Sequence, residues 1–221
     1  MRRILIAATA FTALAFAPIA HATQIIAFGQ TSSTNTLSAT AAAGVTTITS
    51  IGTGASVLID QLFGFVTPPA IAAVFTLSAH SIDAAVPVGP AILQHFAGSF
   101  CISAAASCTG TVDLQGTFSD AAFGLNGGTQ LSVNVANPPD TLSLSSDVIP
   151  AADLVAPSSF TLSLSNLGGL TIANGTIAPF TASFSGVANA TTVAAPEPAS
   201  LALLGVGLLG LGFVANRRRS A

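Results

Sequence analysis

Apolar and polar residues alternate at period two through most of this chain, Pro, Gly and Asn turn signals punctuate the alternation, and apolar runs close both ends. Together these predict an all-β fold: an antiparallel β-sandwich or jelly-roll domain, flanked by an N-terminal signal peptide and a C-terminal single transmembrane helix. The implied organisation is a signal peptide over residues 1–22, an exported β-sandwich domain over 23–190, a linker over 191–195, and a tail over 196–221 that contains a transmembrane helix at 199–215.

Met1-Arg2-Arg3 is a positive n-region, and Ile4 to Phe16 is an apolar run. Pro18 interrupts it, and Ala20-His21-Ala22 places small residues, Ala20 and Ala22, where a signal peptidase needs them. The secretion machinery is thus an implied partner, and the mature chain is expected to start at Thr23.

Strand signals follow. Residues 24–28, 45–51, 73–79 and 96–103 read as strands. In 111–119 Val112, Leu114 and Phe118 form the apolar set, and Gly116 marks a bulge or kink. Leu131, Val133 and Val135 alternate with polar residues, as do Leu142 and Leu144, then Phe160, Leu162 and Leu164, then Phe180, Ala182 and Phe184. Turns are expected at Pro68-Pro69, Pro87 to Pro90, Asn126-Gly127-Gly128, Asn137-Pro138-Pro139 and Gly168-Gly169. Residues 39–44 and 120–124 read as short helical turns.

Charge narrows the function classes. All five basic residues lie at the two ends, and the segment 23–195 carries seven aspartates with no Lys or Arg. Nucleic-acid binding needs cations to neutralise phosphates, so it is excluded, and attraction to an anionic membrane surface fails for the same reason. The segment is long enough for one domain with a sizeable core, and its hydrophobic content is too high for disorder. Fourteen phenylalanines with no Trp or Tyr read as core filling. Sugar sites that stack amphipathic rings are disfavoured, whereas hydrogen-bonding sites stay open.

Few residues invite chemistry. Cys101 and Cys108 are the only cysteines, and in an exported chain they are expected to form one disulfide across a hairpin with its tip at 103–107. Closing that short loop is worth about 2.5 kcal/mol. His80, Asp83 and His95 form the one cluster resembling a metal site, but zinc needs three or four convergent ligands. Asp140, Asp147 and Asp153 border Pro-containing loops, where oxygen-rich turns sometimes hold calcium, although no EF-hand pattern is present. The domain has no Lys, Arg, Glu or Tyr for acid–base work and no G-x-S-x-G nucleophile. The reading assigns no enzyme activity, cofactor or metal.

The tail is the most informative stretch. Pro196-Glu197-Pro198 precedes an uncharged run, Ala199 to Ala215, and Arg217-Arg218-Arg219 follows. As a helix the run spans about 25 Å, slightly less than a hydrocarbon core of about 30 Å. The arginines should stay cytoplasmic. Residues 205–210 match G-x-G-x-x-G, but no acid follows Gly210 and too little chain remains for a dinucleotide unit.

In this order, the tripeptide, span and arginines resemble a PEP-CTERM sorting signal. The resemblance covers about an eighth of the chain. It implies an exported protein of a Gram-negative bacterium, sorted and processed by exosortase, a membrane protease-transpeptidase. It also implies an inner-membrane intermediate and then a place at the cell surface or in the extracellular matrix, with a structural or adhesive role and exopolysaccharide as a partner. The alternative is a permanently membrane-anchored binding module with calcium as a candidate ligand.

Overall fold

The computed structural model describes residues 22–62, 65–89, 91–124, 129–168 and 170–191. The predicted transmembrane helix, most of the signal peptide and the turn at Asn126-Gly127-Gly128 lie outside the described residues. Among the described residues no helix is long and apolar enough to cross a membrane.

The chain forms β1 (Ala22–Gln30), β2 (Leu37–Ala42), β3 (Val45–Ser50), β4 (Ala55–Leu62), β5 (Phe65–Ser81), β6 (Val86–Val88) and β7 (Ala91–Ala105). Then come β8 (Thr109–Gly124), β9 (Gln130–Asn134), β10 (Thr141–Ser145), a 3-10 turn (Ala151–Asp153), β11 (Val155–Ser165), β12 (Ile172–Ala173), β13 (Thr176–Ile177) and β14 (Phe180–Thr191).

Among the described residues all pairings are antiparallel, and the ladder closes on itself. It runs β1, β4, β5, β7, β8, β9, β11, β14 and back to β1. The two layers expected of a sandwich are here two walls of one continuous sheet. Closure leaves the strands of the ring without the exposed edges that would otherwise template aggregation. The β2–β3 hairpin also links β14 to β5, alongside the β1–β4 pair. Two strands sit off the ring: β6 on the start of β7, and β10 on residues 115–119 of β8. β12 and β13 make a separate small ribbon.

Alternation explains the core. On β4, Ala55, Val57 and Ile59 are buried while Ser56, Leu58 and Asp60 are exposed. On β11, Phe160, Leu162 and Leu164 point inward between half-buried Thr161 and Ser163. β1 breaks the rule, with Ile25 and Ile26 both fully buried. A register shift against β14 between Gln24 and Ile26 supplies the reason, since a bulge turns two successive side chains the same way.

Phenylalanines join the walls. Phe75 on β5 lies 4.8 Å from Phe184 on β14, and Phe100 on β7 stacks on Phe160 of β11 at 3.9 Å with 9° between planes. Phe123 on β8 stacks on Phe180 at 5.8 Å. Each buried ring contributes about 1.5–3 kcal/mol and carries no polar atom that needs a partner.

Several expectations change. Residues 39–44 are not a helical turn: Leu37 and Ala39 are buried at strand spacing in β2, and Ala43-Gly44, at φ 50° and 81°, make the hairpin turn into β3. Residues 120–124 continue β8, because Ala121 and Phe123 alternate into the core. Gly116 is no kink. It pairs regularly with Phe100 and Leu144, and a Cβ there would lie 2.6 Å from the Phe100 ring. The glycine makes room for an aromatic ring, as Gly186 does for Phe28. Pro68-Pro69 fall inside β5, in the gap between its pairs at Val66 and Ile71, where the ladder asks for no N–H. β14 runs through Thr191, paired with Ala22, so Thr191 is strand and not linker, residues 192–195 lie outside the described residues, and β1 begins one residue before Thr23.

Candidate functional site

Ala20 and the tail residues Pro196, Glu197, Pro198, Arg217, Arg218 and Arg219 lie outside the described residues. Ala22 is exposed at the start of β1. It lies beside the end of β14, so the two termini of the β domain lie together.

Cys101 and Cys108 are bonded, with Cα atoms 5.8 Å apart. The hairpin differs from the expected one. β7 runs to Ala105 and β8 starts at Thr109, so Cys108 stands in the turn and not on the second arm. Cys101 faces Gln115 across the ladder, and register shifts between Ile102 and Ala105 slide Cys108 back toward it. The bridge ties an arm to the tip. The tip is also held by the Ser107 N–H, which donates to the Thr53 carbonyl at 3.1 Å.

His95 and Asp83 do meet. The Asp83 carboxylate accepts the His95 backbone N–H at 2.8 Å and lies 2.5 Å from Nδ1. His80 projects from the same outer face, opposite Ala97. Among the described residues no three His, Cys, Asp or Glu side chains converge in a way that could hold a metal ion. The dyad closes the connection between β5 and β7.

The loop aspartates serve turns. Asp140 Oδ2 accepts the Asn134 N–H at 2.9 Å, closing the β9–β10 connection. Asp147 Oδ2 accepts the Val112 N–H at 2.8 Å, while its own N–H donates to the Val112 carbonyl. Asp153 ends the 3-10 turn.

Two features escaped sequence reasoning. Asp113 sits in the β8 bulge and is only 8% exposed. Burial pushes its carboxyl above the usual carboxylate range, and the Asp147 charge adds to the rise. Thr46 is fully buried. Its Oγ1 donates to Gln94 Oε1 at 3.0 Å and accepts the Ile177 N–H at 3.0 Å, and its own N–H donates to Ser81 Oγ at 2.9 Å. This network latches β3, β5, β7 and β13 together. Alternation with buried Ile48 puts Thr46 on the inner face and Thr47 and Thr49 on the outer one, but only the pairing register shows that Thr46 meets Gln94 and Ile177.

No curated protein and no solved structure matches the chain. The family model described as the PEP-CTERM protein-sorting motif matches residues 194–219, the tripeptide, span and arginines together, so this chain carries a PEP-CTERM protein-sorting motif.

Proposed function

We propose that the β domain is a non-enzymatic structural or adhesive component of a polysaccharide matrix, delivered by the exosortase processing that the motif implies for an exported protein. The signal peptide starts translocation. Arg217, Arg218 and Arg219 halt it and keep the C-terminus inside. Exosortase then cuts near Pro196–Pro198, and the domain is released or passed to a surface carrier. The tail is substrate here and not catalyst.

The observation that carries this reading is the motif match over residues 194–219. Composition supports the rest. A domain without Lys, Arg, Glu or Tyr has little for acid–base catalysis and much uncharged hydroxyl surface. The test is fractionation of the native host with and without exosortase, and with Pro196-Glu197-Pro198 replaced by alanines. The reading expects the domain in the matrix fraction without detergent only when enzyme and tripeptide are intact. Release only by detergent in every strain would favour a permanent anchor and overturn it.

A further inference from the structure

An open hollow of about 380 Å³ lies on the outer face of β5, β7, β8 and β10. Ladder pairing builds it. Ser78, Ser99, Thr117 and Ser143 face one another across four adjacent strands. Two residues along, Cys101, Gln115 and Ser145 form a second row, and the disulfide to Cys108 walls one side. Neighbours within a row are about 4.8 Å apart, and the two rows lie about 6.8 Å apart along the strands. The volume falls within the range of small-ligand sites.

The hydroxyls lining it are exposed and held by water, not by the protein. The hydroxyls of Ser78, Ser99, Thr117, Ser143 and Ser145 have no hydrogen-bond partner among the described residues. The Gln115 carboxamide lies 3.7 Å from the Cys108 sulfur. A disulfide sulfur has no proton to give, so that amide is also free to bind. Among the described residues β10 pairs with β8 alone, so its other edge presents backbone donors and acceptors beside the hydroxyls.

Charge selects the ligand. No lining residue is ionisable, since both cysteines are bridged, and the nearest charged side chains along β10 are Asp140 and Asp147. An anion would meet repulsion and no cation, and a cation would meet no carboxylate within the hollow. Hydroxyl groups that donate and accept suit a ligand that does both. No Trp or Tyr exists to stack a ring, so recognition would rest on hydrogen bonds.

We propose that this hollow binds a segment of a neutral, hydroxyl-rich glycan, with Ser99, Thr117, Gln115 and Ser143 as its principal contacts. The proposal rests on the matrix reading above and gives it a site.

The test is binding of the full chain in detergent to soluble neutral glucan, galactan and mannan, with a polyuronate as the anionic comparator. At least one neutral polymer should bind in preference to the polyuronate. Ser99→Ala with Thr117→Val should weaken that binding about tenfold, the loss expected from two hydrogen bonds. Ser163→Ala, on the opposite wall, should leave it unchanged. Melting curves of each variant separate lost contacts from lost folding. Equal binding by the double variant, binding to none of the neutral polymers, or an effect confined to self-association through the β10 edge would each overturn the proposal. The fractionation experiment above is independent, so a matrix protein with no glycan binding would refute the site alone.

Discussion

Two outer faces of this molecule are built from the same residue types and differ in what those residues do. On β9, β11 and β14 the polar side chains bond to one another: Ser132 to Thr161 at 3.1 Å, Gln130 to Ser163 at 3.3 Å and Asn189 to Ser159 at 3.1 Å. Asn166, Ser183, Asn35 and Thr181 extend this lattice across the end of the wall. On β5, β7, β8 and β10 the serines and threonines of the hollow make no such bonds among the described residues. A side chain already bonded to its neighbour stiffens the sheet, whereas one with no protein partner is open to solvent or a ligand. Composition alone cannot separate the two faces; the partners can.

The contrast can be broken most strongly at the disulfide. Replacing Cys101 and Cys108 with alanine should lower the unfolding free energy by about 2.5 kcal/mol in urea melts and loosen one side of the hollow, leaving the opposite face paired. Gly116→Ala should cost about 1–3 kcal/mol, because its Cβ would press on Phe100, which stacks on Phe160. Thermal unfolding checks this, and the loss should exceed that of an alanine at exposed Gly168. Thr161→Val breaks the bond to Ser132 and should cost about 0.5–1.5 kcal/mol with no change in glycan affinity.

Asp113 sharpens the picture through pH. Its folded carboxyl holds its proton more tightly than the unfolded one, so its contribution to stability improves as pH falls through the raised value toward the ordinary range. Asp113→Asn should therefore melt higher than the parent at pH 7, and the gap should narrow on acidification. The smallest stability effect belongs to the hollow. Thr117→Val should stay within about 0.5 kcal/mol of the parent while affecting ligand binding.

Much of the fold was legible because burial in a closed sheet imposes strict alternation. The patterns at Phe160–Ser165 and Phe180–Ser185 read directly as β11 and the start of β14. β4 was missed although Ala55, Val57 and Ile59 alternate, because exposed Leu58 blurs the polar face. β2 was missed because alanine-rich Ala39–Ala42 carries little strand propensity, and its pairing with β3 and β14 overrides that. The disulfide was legible from cysteine count, but its place in the turn was not, since bulges in β7–β8 set the register. The hollow was invisible for a related reason. Ser78, Ser99, Thr117 and Ser143 are far apart in sequence, and only ladder pairing puts them in one row. The tail needed no folding to be read, because its order along the chain is itself the signal.

The most direct test of the account is the intact mass of the protein recovered from its native host, with and without exosortase. A chain starting at Thr23 and ending near Pro198 only when the enzyme is present is the predicted result. A mass that keeps the tail through Ala221 in both strains would contradict the account and make the span a permanent anchor.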